Sequence, residues 1–139
     1  MRRKHRSREA AIEKSAATDS FKDNLHESIK KELRRRLGNL LKDIEQEGKT
    51  LLKRRTLENV LKYKDLVKSF LDLIVKNIYH LSEKVNLTPR GKQSILVAIE
   101  NIDKSLEELL TLVLNKEVHN LKILEKVGEI QGLLIDLYS

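Results

Sequence analysis

Four histidines, His5, His26, His80 and His119, are the side chains best suited to hold a metal ion. In helical proteins such sites are built from Glu-x-x-His pairs, which put a carboxylate and an imidazole on one helix face. No Glu-x-x-His occurs in the chain, and the reverse spacing, His80 to Glu83, occurs once. Solvent-facing or helix-capping roles account for the histidines, and neither a metal nor any other cofactor is expected. Serine and threonine are present, but no Gly-x-Ser-x-Gly elbow or glycine-rich phosphate loop accompanies them. There is no cysteine, which removes thiolate catalysis, disulfides and cysteine-based zinc sites and fits a reducing cytoplasm. The expectation is a protein that is not an enzyme.

Phosphate or acidic-partner recognition is the chemistry that the sequence offers most openly. Arg2, Arg3, Lys4, Arg6 and Arg8 crowd the N-terminus, Arg34, Arg35 and Arg36 are consecutive, and so are Lys53, Arg54 and Arg55. On one helix the last two clusters lie about 28 Å apart at 1.5 Å per residue, so they do not make one compact patch. Three adjacent arginines also point in three directions around a helix. The Lys53 cluster has an ordinary explanation too, since cations at a helix C-terminus offset its dipole. Stacking aromatics, which single-strand binders use, are few: Phe21, Tyr63, Phe70, Tyr79 and Tyr138. Gly128 and Gly132, four residues apart, share one helical face and let another backbone approach, within the fold or between two chains.

Carrying these residues requires helices. In 139 residues there are one proline, five glycines and no tryptophan, too little turn chemistry for many short strands. Hydrophobic residues at 40% beside charged residues at 35% suit helices with apolar stripes. Residues 1–18 contain few large apolar side chains and read as a flexible basic tail. After a cap at Asp19 or Ser20, Phe21, Leu25, Ile29, Leu33, Leu37, Leu40, Leu41, Ile44, Leu51 and Leu52 recur at helical steps. Gly48 falls on that face and reads as an in-helix glycine at a close contact, the alternative being a turn at Glu47–Lys49. Thr56 can cap a second helix whose wide apolar face runs from Leu57 to Leu81. Asn86-Leu87-Thr88-Pro89 punctuates the chain, with Thr88 as cap and Pro89 at the first position of a third helix.

From Ile95 the period runs through Ile99, Ile102, Leu106, Leu109, Leu110 and Val113, then resumes through Val118, Leu121, Leu124, Val127, Ile130, Leu134 and Leu137. Asn115-Lys116-Glu117 lies between without Gly or Pro. An unbroken helix here would reach about 73 Å, against about 42 Å for its neighbour, leaving a bare stripe. A break near residues 115–120 is therefore favoured. The fold class is all-α: an elongated antiparallel up-and-down bundle over residues 19–139, with four helices, or three if the last two are continuous. The most apolar short run, residues 109–114, is far short of the roughly 20 residues of a membrane span.

Net charge is +7 and unevenly spread. Residues 1–18 hold six basic against two acidic side chains and residues 19–56 eleven against seven, whereas residues 88–139 hold six against eight. Such asymmetry can steer polyanions to one end or align two copies of the chain.

The stretch Arg54-Arg55-Thr56-Leu57 leading to Tyr63-Lys64-Asp65-Leu66-Val67-Lys68-Ser69-Phe70-Leu71, with the ending Ile130-Gln131-Gly132-Leu133-Leu134-Ile135-Asp136-Leu137-Tyr138, resembles the YaaR-like family of uncharacterised bacterial proteins. The resemblance covers roughly residues 20–139 and implies a bacterial, cytoplasmic helical bundle, with no biochemical role attached. Its polar members, Arg55, Tyr63, Lys64, Gln131, Asp136 and Tyr138, lie at the edges of apolar stripes and are expected to staple helix ends more than to form a surface patch. The functional expectation is a non-enzymatic, coiled-coil-like module for protein–protein interaction, self-association included. Its motive is a first helix of about 34 residues, about 51 Å long, that outruns its neighbours. The alternative is nucleic-acid or anionic-surface binding through the tail and the Arg34–Arg36 cluster.

Overall fold

The computed structural model describes residues 2–84 and 88–139, and the side chains of residues 20–78 and 88–139. Four helices follow one another: α1 (Arg2–Lys53), α2 (Leu57–Lys84), α3 (Pro89–Leu114) and α4 (Asn120–Tyr138). The chain divides into two compact units, Met1–Glu32 and Leu33–Ser139. Tyr79, His80 and Leu81 have side chains outside the described set, and Asn86 and Leu87 lie outside the described residues.

Helix α1 starts at Arg2, well before the predicted cap at Asp19 or Ser20. Residues 2–18 contain no Gly or Pro and are rich in Ala, Arg, Lys and Glu, the strongest helix formers. In the first unit Phe21 is 67% exposed and Leu25 50% exposed, so the expected stripe does not bury them. Each four-residue step turns the helix by about 40° beyond a full circle. Phe21, Leu25 and Ile29 therefore drift by about 80° and still share one broad face of α1, which in the first unit is exposed at Phe21 and Leu25.

The second unit is an antiparallel up-and-down four-helix bundle, and named contacts fix its register. Lys64 pairs with Glu107 and Lys68 with Asp103, both at 2.8 Å, so α2 and α3 run in opposite directions. Lys126 reaches Glu108 at 2.7 Å, which sets α4 antiparallel to α3. Gly48 lies against Val127 and Gly38 against Tyr138, which brings α4 back alongside α1 and closes the ring of four. The core is continuous from Leu33, Leu37, Ile44 and Leu51 of α1, through Val60, Tyr63, Val67, Phe70 and Ile74 of α2, to Ile102, Leu106, Leu109 and Val113 of α3. Ile123, Val127, Ile130 and Leu134 complete it from α4. Each fully buried side chain of this kind contributes about 1.5–3 kcal/mol.

Helix ends follow the sequence closely. The Thr56 hydroxyl accepts from the Asn59 N–H at 3.1 Å. Thr88 accepts from the Gly91 N–H at 3.0 Å, ahead of Pro89. The predicted break is real: α3 stops at Leu114 and α4 starts at Asn120, with His119 Nδ1 accepting from the Leu121 N–H at 3.1 Å. Two predicted core positions of α4, Leu121 and Leu124, instead stand 54% and 49% exposed, and two of α2, Leu57 and Leu61, are 52% and 41% exposed. Ile123 takes the core place in α4. The apolar sector of that helix is wide, so two different stripes satisfy the same spacing.

Gly48 is buried in mid-helix, as its place on the stripe predicts. A Cβ there would stand 3.1 Å from Val127 Cγ1 and 3.5 Å from the Tyr63 ring. Gly48→Leu is expected to lose about 1–3 kcal/mol through overpacking, whereas Gly132→Ala, where nothing lies within 4 Å, gains up to about 1 kcal/mol from helix propensity. Urea unfolding of dilute protein measures both.

The interhelical ion pairs give stability a defined pH profile. The hydrogen bond and charge of Lys64 hold Glu107 below the usual carboxylate range, and Lys126 does the same to Glu108. Their contribution is complete above the unfolded carboxylate pKa and is lost as pH falls through the lowered values. Lys68, bonded to Asp103, and Lys126, bonded to Glu108 and Glu129, are raised, and burial raises the Tyr63 phenol. These contributions are complete below the ordinary lysine and tyrosine values and are lost as pH climbs. Thermal melts across pH should show a neutral plateau, and Glu107→Gln with Glu108→Gln should flatten its acid limb and soften the alkaline limb as well, since Glu108 helps to raise Lys126 and Glu107 helps to raise Lys68.

Candidate interaction surface

Construction of this surface begins at a corner with no glycine or proline. The last carbonyls of an α-helix lack intrahelical partners, and α3 ends on a corner that turns the chain back within five residues, 115–119. Arg55, at the neighbouring turn between α1 and α2, supplies the donors. Its Nη2 donates to the Leu112 carbonyl at 2.9 Å and to that of Asn115, and its Nε donates to Val113 O at 3.2 Å. Its Nη1 donates to Val118 O and, at 3.3 Å, to Asn120 Oδ1. Asn115 adds a local turn, with its side-chain oxygen accepting from the Glu117 N–H at 3.1 Å. One guanidinium thus ties α3, the corner and α4 to the start of α2. Only a planar fork of five N–H groups can reach so many acceptors at once.

Arg55 thus acts as the helix staple the family-pattern reading favoured, and not as the anion contact its place in the Lys53 cluster suggested, because its guanidinium is occupied by carbonyl oxygens. Its neighbours Lys53 and Arg54 are exposed at the helix end. The Arg34–Arg36 cluster fans out as three adjacent helical positions must. Arg34 lies over the Tyr138 ring, 5.1 Å from its centroid, a cation–π contact. Arg36 turns to the other side of α1, into a groove of about 520 Å³ that it shares with Asn39, Ser69, Asp72, Lys76 and Asn77. Arg35 is exposed between them. The side chains of Arg2, Arg3, Lys4, Arg6 and Arg8 lie outside the described residues. Among the family-pattern residues, Arg55, Lys64 and Tyr138 tie helices together, Gln131 is half-buried, Asp136 is exposed, and Tyr63 is a core residue whose hydroxyl has no hydrogen-bond partner among the described residues.

Closing the corner leaves α4 with two faces. At about 100° per residue, Ile123, Val127, Ile130 and Leu134 cluster toward the core, and Leu121, Leu124, Gly128, Gly132 and Ile135 fall within about 80° of arc on the far side. The three large residues of this outer stripe are each about half exposed. Gly128 and Gly132 are exposed, with nothing within 4 Å of the position a Cβ would take, so the close packing they permit is not used inside the bundle. The spacing of the two glycines is visible in the sequence, but the leucines beside them could not be separated from the core set.

Replacing Arg55 tests the corner. Arg55→Ala should cost about 2–3 kcal/mol by orphaning carbonyls that a charged donor satisfied. Arg55→Lys should recover less than half of this, because an ammonium cannot span α3, the corner and α4. Urea midpoints report both losses.

Residues 1–138 match the family described as protein of unknown function (DUF327). The chain is 32% identical over 130 residues to the uncharacterized protein YaaR of Bacillus subtilis (strain 168), covering 93% of this chain and 88% of that one. In structure it is similar to the uncharacterized protein BH1478 from Bacillus halodurans, with a TM-score of 0.76 and 36% identity over 84% of this chain and 96% of that one. It is also similar to Moevan, a designed granulopoietic protein, with a TM-score of 0.70 and 28% identity over 78% and 93% of the two chains. With its whole length matched and the Arg55-Thr56 and Gln131–Tyr138 pieces in place, the chain belongs to the DUF327 family, the YaaR-like proteins.

Proposed function

We propose that this chain is a non-enzymatic interaction module of the bacterial cytoplasm that presents the outer face of α4 to a protein partner. The observation that carries this reading is the outer stripe itself. Leu121, Leu124 and Ile135 are each about half exposed along one line of a helix whose opposite face is buried. Single exposed leucines are ordinary, but contiguous apolar stripes on a soluble surface mark binding sites. Among the described residues no helix is long and apolar enough to cross a membrane, so the stripe is not part of a span. The divergence of Arg34 and Arg36 weakens the nucleic-acid alternative, because the two guanidinium groups address different faces of α1.

A photo-cross-linking amino acid placed at Leu124 in bacterial cells tests this reading. Discrete protein adducts are expected at Leu124 and Ile135, and none at Lys62, an exposed position on α2. Cross-linking that is equal at all three positions, or absent from the two α4 sites, contradicts it.

A further inference from the structure

The inference that follows rests on the interaction-module reading and names the partner. We propose that the outer face of α4 binds the same face of a second copy of this chain, the two α4 helices lying side by side and parallel about a two-fold axis.

Two observations point to a close helical contact. Gly128 and Gly132 lie one turn apart on the exposed stripe, and each weakens α4 by about 1 kcal/mol relative to alanine. Among the described residues nothing occupies the space they leave open, in contrast to Gly48 and Gly38, which both lie against another helix. Small residues four apart let two helix backbones approach closely. Leu121, Leu124 and Ile135 continue the same stripe on either side of the glycines and would be covered by such an approach.

Charge selects both the partner and its direction. The α3-ward flank of the stripe is marked by Lys126, which is engaged with Glu108 and Glu129. That flank carries Glu125, Glu129 and Asp136 against Lys122 and is acidic. The α1-ward flank is marked by Gly38 and Arg34, both against Tyr138. Lys42 and Lys49, four and eleven residues beyond Gly38, continue that ridge, and it is basic even though Lys49 lies 3.8 Å from Glu45. Because Gly48 lies against Val127 and Gly38 against Tyr138, Lys49 stands level with Glu125, and Lys42 stands between the levels of Glu129 and Asp136. A two-fold axis along α4 sets the basic ridge of each copy against the acidic ridge of the other at matching heights. An axis across α4 would instead oppose acid to acid and base to base. Isologous contacts of this kind close on themselves as dimers.

The absence of native cysteine makes the geometry directly testable in the full chain. Sedimentation equilibrium should give a mass approaching twice 16.2 kDa as concentration rises. Gly128→Leu and Gly132→Leu should each weaken association by at least about tenfold, with helicity by circular dichroism unchanged. Raising salt should weaken it as well, since the ridges are exposed. Leu121→Cys and Ile135→Cys, made singly, should each form a disulfide-linked dimer under mild oxidation, because a parallel axis brings like residues within the roughly 7 Å between Cα atoms that a disulfide allows. An antiparallel pair links neither position. A strict monomer, dimers that ignore both glycine replacements, or failure of both cysteines to link overturns the proposal. Adducts from the Leu124 photo-cross-linker that contain only other proteins also overturn it, while leaving the interaction-module reading in place.

Discussion

The fold turns on how the chain changes direction between α3 and α4. Helices end easily at Gly or Pro, and residues 115–119 contain neither. Backbone carbonyls at a tight corner must find donors, and a buried carbonyl left without one costs free energy comparable to a lost hydrogen bond. Arg55 meets that demand from a different part of the chain, more than fifty residues earlier, by placing one guanidinium among four carbonyls and an amide oxygen. The two turns at that end of the bundle are therefore a single polar assembly. Thr56, next in sequence, caps α2, so the Arg-Thr pair organises three helix ends together.

Once the corner is closed, α4 is pinned along α1 and the rest of the packing is determined. Val127 seats against Gly48, where a Cβ would crowd the Val127 methyl at 3.1 Å and touch the Tyr63 ring at 3.5 Å. Tyr138 reaches Gly38 and lies beneath Arg34 at the other end of α4. The ion pairs of Lys64 and Lys68 join α2 to α3, and that of Lys126 joins α4 to α3. At the surface they add little stability individually, but they oppose slippage between neighbouring helices. The same closure determines which residues of α4 are left outside, and the glycines on that outer face have no counterpart within the bundle.

Much of this was legible in the sequence, for physical reasons that differ by element. Thr88-Pro89 could be read as a helix start because proline at the first helical position has one strong meaning. Gly48 could be read as a contact because it kept step with leucines on both sides. The break near residue 115 was inferred from unequal helix lengths, since no local residue announces it. Three things stayed hidden. Arg55 could be read as a helix staple, but which helix ends it joins could not, because its acceptors are some sixty residues away. Leu121 and Leu124 could not be told from core positions in a helix whose apolar sector is wider than one neighbour can cover. The start of α1 was placed too late, because a shortage of large apolar residues was weighed above the helix propensity of Ala, Arg, Lys and Glu.

The surface reading depends on α3 and α4 being separate, antiparallel helices, since a continuous helix would have no outer face of this composition. Pulsed dipolar spectroscopy between spin labels at Lys104 and Glu129 measures that arrangement directly. In the bundle the two positions sit at nearly the same height on adjacent helices, whose axes are about 10 Å apart, so a short distance set mainly by the label linkers is expected. A population centred near the roughly 37 Å of an unbroken helix between these residues would contradict the closed corner and everything built on it.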